Sequence, residues 1–285
     1  MTDLLILGAG PAGAAAAIEA RALGLSVTLI DENPAAGGQV ARAPASGPGP
    51  GDDLRASLAR SGAAHRAGWR AWDVAPDTAG WRVEVTEGTA AETLCAPCLL
   101  IAAGARELPR PRPGWTLPGV LSLAGLTTFL KVARVPPPGP IALSGAGPLA
   151  VLAASEVVRL GGTVSVLALS ETRGDWARAL SAMAGRPDLL AKGAAWLARL
   201  ARVPVLWGAT AEAVEGAARA EALIVGGRRY AAGTIALGGP LAPEVAPAAL
   251  AGLALRHDVG LGGWVPEAGP DGTTARGGLY VAGDG

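Results

Sequence analysis

Short apolar runs recur along the chain, and each is closed by glycine-rich turns. Leu4-Leu5-Ile6-Leu7 is the first, and it runs directly into Gly8-Ala9-Gly10-Pro11-Ala12-Gly13. Ala14 to Leu23 reads as a helix ending at Gly24, and Ser26 to Ile30 is a second β-rich run. Runs of this length without polar alternation predict strands buried on both faces of a parallel sheet. The same order returns later. Ile141 to Ser144 predicts a strand, Gly145-Ala146-Gly147-Pro148-Leu149-Ala150 a turn, the stretch to Leu160 a helix, and Thr163 to Leu167 another strand. The pattern therefore predicts an α/β chain with two dinucleotide-binding, Rossmann-like βαβ units.

Between and after these units the pattern is less regular. Asp52 to Arg60 predicts a short helix. Ala63 to Val74, Trp81 to Thr86 and Thr93 to Ala102 predict three strands joined by turns. Ser122 to Arg134 predicts a helix, and Asp175 to Leu200 a single amphipathic one. Val203 to Trp207, Ala222 to Val225, Thr234 to Gly238 and Leu279 to Val281 predict strands. Arg106 to Val120 is proline-rich and reads as an interdomain crossing.

Composition narrows the function classes. The chain has 285 residues, 24 Lys+Arg and 24 Asp+Glu, for a formal net charge of zero. That balance argues against a nucleic-acid footprint or a polybasic membrane anchor. Three uncharged stretches do not suit a leader or a span: Leu4 to Ile18 follows Asp3 rather than basic residues and carries ordered glycines, and Pro113 to Leu130 and Val135 to Ser155 are interrupted by proline and glycine, so a soluble, intracellular, cytoplasmic protein is expected. Two histidines, His65 and His257, lie far apart, and no metal site is expected. Cys95 and Cys98 form a C-x-x-C that enters an apolar strand; buried strand cysteines are the expectation.

The first glycine turn carries chemistry. Gly8 permits the sharp exit from the strand, Gly10 leaves room for a pyrophosphate against the backbone, and Gly13 allows close helix–sheet packing. The helix that follows offers free N–H groups and a partial positive charge. Asp31 or Glu32, closing the second strand, is placed to accept hydrogen bonds from a ribose. The second turn, with Gly145, Gly147, Pro148 and Ala150, has the same form with Ala in the third glycine position. Its acid is missing: Ala168, Leu169 and Ser170 stand at the corresponding spacing, and Glu171 comes late. Arg173 is a lone candidate for an extra phosphate. Whether this unit takes NAD(P), takes another nucleotide or only packs stays open.

Several segments together resemble the thioredoxin-reductase-like flavoproteins: the first glycine turn, Asp31-Glu32-Asn33, Gly37-Gly38-Gln39-Val40, and Ile101-Ala102-Ala103-Gly104. Gly262 to Pro266 and the closing Gly278 to Gly285 resemble that family's return to its FAD domain, and Gly104-Ala105-Arg106-Glu107 with Gly114-Trp115-Thr116-Leu117-Pro118-Gly119-Val120 is similar, within that group, to the FAD subunits of amino-acid- and opine-oxidising dehydrogenases. These include opine oxidase A subunits, hydrogen cyanide synthase flavoprotein subunits and proline or hydroxyproline dehydrogenase alpha subunits. The resemblance implies FAD held by Gly8, Gly10, Pro11, Ala12, Gly13, Asp31, Glu32, Gly38, Gln39, Ala103, Gly104, Gly283 and Asp284. It implies an FAD domain of three-layer ββα character split into 1–116 and 241–285, around a second dinucleotide domain at 117–240. Ala103 stands where the family usually has Thr. The C-x-x-C matches neither of the places where relatives carry a redox disulfide.

The implied activity is an FAD-dependent oxidoreductase with the chemistry assigned to the flavin and no catalytic side chain. The chain would serve as the electron-accepting subunit of a hetero-oligomer whose partner, an amine- or amino-acid-oxidising flavoprotein subunit, takes the small-molecule substrate. A stand-alone NAD(P)H-dependent flavin oxidoreductase and an assembly protein without flavin remain alternatives. In relatives a helix follows Gly283-Asp284; the sequence stops at Gly285, so weaker FAD binding than in a full-length relative, and dependence on a partner, are expected.

Overall fold

The structure is a computed structural model and describes residues 2–183 and 185–284. In chain order the first elements are β1 (Leu4–Leu7), α1 (Pro11–Ala22), β2 (Val27–Asp31), α2 (Asp52–Ser61), β3 (Ala64–Ala67), β4 (Arg70–Asp77), β5 (Gly80–Glu87), β6 (Ala90–Ala96), β7 (Cys98–Ile101) and β8 (Ala105–Glu107). Next come β9 (Val120–Ser122), α3 (Leu123–Ala133), β10 (Pro140–Gly145), α4 (Gly147–Arg159), β11 (Thr163–Leu169), α5 (Arg173–Ala182), α6 (Pro187–Arg199), β12 (Val205–Trp207), β13 (Ala213–Glu215), β14 (Ala222–Val225), β15 (Arg228–Ala231) and β16 (Thr234–Leu237). The chain closes with β17 (Leu241–Pro243), α7 (Ala246–Leu250), β18 (Leu255–Asp258), β19 (Gly263–Pro266) and β20 (Leu279–Val281).

Two compact units result. The first comprises 1–106 and 241–285, and the second 107–240. In the first, β1 lies at the middle of a sheet ordered β20-β7-β1-β2-β3. Leu5 pairs in parallel register with Thr28 on one side and Leu99 on the other. The alternation of side chains along β1 serves two layers. Leu5 and Leu7 pack with Trp81, Val83 and Val85 of the three-stranded β4-β5-β6 layer. Ile6 packs with Ala14 and Ala17 of α1 on the opposite face. Each fully buried Leu or Ile contributes about 1.5–3 kcal/mol. This is the three-layer ββα arrangement that the resemblance implies.

The second unit repeats the plan with the sheet β12-β11-β10-β16-β9. Leu143 of β10 packs with Leu123 and Leu126 of α3 and Val151 of α4. Ala142, one residue away, packs with Val214 and Leu223 of the β13-β14-β15 layer. The sheet order reverses at β10, which opens a crevice at the carboxyl ends of β10 and β16.

Several expected elements differ. The strand expected over 63–74 is two strands in separate sheets, broken at Gly68-Trp69, where Gly68 has φ +82°. Pro97 divides 93–102 in the same way. The helix expected over 175–200 is two, because Pro187 starts a new one at α6 and cannot continue the old. Ala184, inside that expected helix, lies outside the described residues. The segment 107–116, expected with the first unit, lies in the second, where Val214 N–H donates to Pro113 O at 2.8 Å. Cys95 is exposed on β6 and Cys98 half-buried at the start of β7, so neither is the buried residue expected. Among the described residues no helix is long and apolar enough to cross a membrane.

Candidate functional site

In the first unit the glycine turn is built by close backbone approach. A Cβ on Gly13 would lie 1.9 Å from Gly8 O, and one on Gly8 2.3 Å from Ala102 O. Those contacts lock the end of β1, the start of α1 and the end of β7 together. Gly10 differs: a Cβ there would meet only Gly38 Cα, at 3.9 Å. Its space is left over by the fold rather than filled by it. α1 begins with Gly10 as N-cap, Pro11 in its first turn and no side chain capping it. The N–H groups of Ala12 and Gly13 therefore face outward without intrahelical acceptors.

Two distant segments close on this turn. Gly37 N–H donates to Ala9 O at 2.7 Å. A Cβ on Gly38 would lie 2.9 Å from Gly10 Cα, and one on Gly283 3.0 Å from Ala12 Cβ. Gly38 and Gly283 thus come against Gly10 and Ala12, and three separate segments of the first unit converge on the turn that Gly8, Pro11 and Gly13 complete. Ala103 and Gly104 follow β7 at its edge, and Gly104, at φ +73°, has open space where a side chain would be. Gln39 and Asp284 are exposed.

The two acids closing β2 separate in role. Asp31 is buried; its Oδ2 accepts Ala9 N–H at 2.6 Å, and its Oδ1 accepts the backbone N–H and Nδ2 of Asn33, each at 2.7 Å. It holds the turn. Glu32 is exposed and ion-pairs with Arg70 at 3.0 Å. An exposed pair of this kind is worth little and yields readily to a ligand. Arg70 and Arg42, which donates to Asn33 Oδ1, were not visible from the sequence. Arg70 stands 38 residues from its partner, beyond any local spacing rule.

The second turn is made differently. Gly147 has φ +66°, and its N–H donates to Glu171 Oε1 at 2.7 Å across 24 residues. Pro148 opens α4, and Ala150 is fully buried. The late acid thus does for this turn what Asp31 does for the first. Arg173 is exposed in the first turn of α5. His65 is half-buried with its Nε2 unpartnered, and desolvation lowers its pKa below the ordinary 6.5 while Asp31 acts in the opposite sense. Cys95 is pushed up by desolvation and by Asp77. Among the described residues no cluster of three metal-ligating side chains occurs.

The sequence pattern of pyridine nucleotide-disulphide oxidoreductases matches residues 2–285. The chain belongs to that family. It is similar to the opine oxidase A subunit from Agrobacterium tumefaciens (strain Ach5), with 35% identity over 307 residues, covering 99% of this chain and 61% of that protein. It is also similar to the hydrogen cyanide synthase subunit HcnB of Pseudomonas protegens, at 35% identity over 217 residues, 69% of this chain and 44% of that one. The chain therefore spans less than two thirds of either relative. Among solved structures, L-proline dehydrogenase from P. horikoshii superposes with a TM-score of 0.71 at 20% identity, over 99% of this chain and 50% of that one. T. acidophilum thioredoxin reductase gives 0.71 at 17%, over 99% and 89%. These two likenesses concern the fold.

Proposed function

We propose that this chain is the FAD-binding, electron-accepting subunit of a hetero-oligomeric dehydrogenase for amines, amino acids or opines. The observation that carries this reading is the cradle at Gly10, Gly38 and Gly283, which the fold leaves free of side chains. The names of the relatives, both of them subunits, support the hetero-oligomer.

A pyrophosphate fits against Gly10 and the open first turn of α1, where a Cβ at Gly10 would enter its space. Glu32 would bind the ribose and Asp31 would keep the turn in shape. Gly38-Gln39, Ala103-Gly104 and Gly283-Asp284 would border the rest of the cofactor. Bound FAD supplies reversible electron acceptance, and the protein orients it and sets its surroundings. No side chain of this chain is assigned to proton transfer, so substrate oxidation falls to the partner subunit. A self-contained NAD(P)H-dependent reductase is the second reading, favoured by the second βαβ unit. Glu171 counts against it, because it occupies the N–H of Gly147 and places negative charge where a pyrophosphate would come.

The test is to purify the chain with FAD, alone and with the co-purifying native partner, and follow the flavin absorbance. Bleaching by amines, amino acids or opines only in the partner's presence is expected. Bleaching of the isolated chain by NADPH would favour the second reading. A chain left colourless after incubation with FAD would overturn both.

A further inference from the structure

β2 ends at Asp31 and α2 begins at Asp52, and the loop between them is irregular. Connections longer than about 12–15 residues are uncommon in compact domains, where they are functional loops or disordered linkers. The apolar side chains of this one are alanines, prolines and Val40. Val40 is 72% exposed, and Ala36, which is buried, has only a methyl group to offer. Hydrophobic burial therefore does little to fix the loop's shape, and its backbone groups must find partners that do.

Arg55, at the end of the first turn of α2, supplies them. Its Nη1 donates to Ala36 O at 3.0 Å and to Ala41 O at 2.9 Å. Its Nη2 donates to Pro50 O at 2.6 Å and to Asp52 Oδ1 at 2.7 Å. One planar fork thus gathers three carbonyls from the two ends of the loop, with Asp52 orienting it. The side chain is 19% exposed, so water competes little for these bonds. Two glycines make room for it. A Cβ on Gly37 would lie 2.2 Å from Ala41 O and 3.1 Å from Arg55 Nη1, and one on Gly51 2.6 Å from Ala41 Cβ and 3.2 Å from Nη1. Ala36 and Ala41 bracket Gly37-Gly38-Gln39-Val40. That is the segment whose Gly37 N–H reaches Ala9 O and whose Gly38 comes against Gly10.

We propose that Arg55 is a positioning residue for the cofactor: it holds the loop between β2 and α2 in the shape that sets Gly38 and Gln39 beside the first glycine turn. It touches neither Gly38 nor Gly10 in this role; it acts through the carbonyls of Ala36 and Ala41. Its bearing on cofactor binding rests on the assignment of FAD to the first unit. A loop already tied in this way has less freedom to lose when a ligand settles against it, so removing the tie weakens binding without removing a ligand contact. Arg42 provides a reporter within the same loop. It is half-buried and donates to Asn33 Oδ1, and the bond after it is a trypsin site that the tied loop shields.

The test compares the full-length wild type with R55A, R55K and L58A. Leu58 lies three residues on, buried in the layer that holds Ala17 and Ala20 of α1, so L58A destabilises the same helix without touching the tie. FAD affinity is read by fluorescence titration, trypsin cleavage after Arg42 by mass spectrometry on the FAD-free chain, and folding by the urea midpoint. Loss of charge-assisted hydrogen bonds predicts that R55A binds FAD about tenfold or more weakly and is cut after Arg42 about tenfold faster. R55K, which keeps the charge and some donors, should fall between R55A and wild type, and it carries the comparison should R55A fail to fold. L58A should lower the urea midpoint while keeping wild-type cleavage and affinity, which a merely structural role for Arg55 would not allow. Unchanged cleavage or unchanged affinity in a folded Arg55 variant, or an equal loss of affinity in L58A, would overturn the proposal. A wild type that takes up no FAD would defeat the flavin reading instead, and the cleavage rates alone would then decide whether Arg55 holds the loop.

Discussion

Glu171 Oε1 accepts the N–H of Gly147 at 2.7 Å, and Asp31 Oδ2 accepts the N–H of Ala9 at 2.6 Å. Each glycine turn is thus held by a carboxylate from the far side of the next strand, but on a different N–H. In the first unit the second glycine stays outside that bond, whereas in the second unit its N–H is the one bonded. Replacing Glu171 with Ala should free that group and remove a charge that repels phosphates. NADPH affinity is expected to rise by about tenfold, the equivalent of roughly 1.4 kcal/mol. Fluorescence titration measures it, and an unchanged affinity would show that the bond does not govern nucleotide binding.

The glycines of the first turn should separate folding from cofactor binding. Gly10→Val meets only Gly38 Cα among nearby atoms, so the fold should persist while flavin content falls to background. Gly13→Ala drives a methyl to 1.9 Å from Gly8 O and should cost about 3 kcal/mol of stability, more than its gain in helix propensity returns. Denaturant unfolding and the visible absorbance of bound flavin distinguish the two. A Gly10→Val protein that keeps its flavin would remove the pyrophosphate from this turn.

Cys95 and Cys98 are free thiols, and Cys95 is held above its ordinary value by desolvation and Asp77. A thiol shifted in that direction is a poor nucleophile near neutral pH. Replacing both with Ser should leave flavin reduction by the native partner unchanged. Loss of turnover with the flavin retained would assign the pair a redox role.

His65 is more basic in the unfolded chain than in the fold, because its surroundings desolvate the charged form. Below the ordinary value of 6.5 the unfolded state therefore binds the extra proton first, and stability falls as pH falls. His65→Gln should flatten the stability profile between about pH 5 and 7, the range in which an ordinary histidine titrates. Urea midpoints at several pH values test this; identical slopes for the two proteins would exclude His65 as the source.

Much of the fold was legible because its signals are local. A buried parallel strand such as Leu4–Leu7 needs a continuous apolar run, and the turn after it needs glycine where backbones touch. Both requirements are written in consecutive residues. The breaks were harder to read. Gly68 and Pro97 look like ordinary interruptions until the sheets on either side of them prove to be different. The division of labour between Asp31 and Glu32 depends on Ala9, Asn33 and Arg70, which are brought together only by the fold. Glu171 looked late by the spacing of the first unit, yet the left-handed Gly147 turns its N–H to meet it.

Glu107 accepts hydrogen bonds from Ala124 and Gly239, while Leu108 donates to Pro240. One carboxylate thereby fastens the entrance of the second unit to its exit. Every strand of that unit's sheet lies between those points, from Val120 to Leu237, whereas the first unit's sheet lacks its edge strand until Leu279–Val281 has been made. On the ribosome the inserted unit is complete while the one that surrounds it is still unfinished. The order of assembly is thus the reverse of the order of reading: the module encoded in the middle can mature first, and the approach of Gly283 to the first glycine turn is made after it.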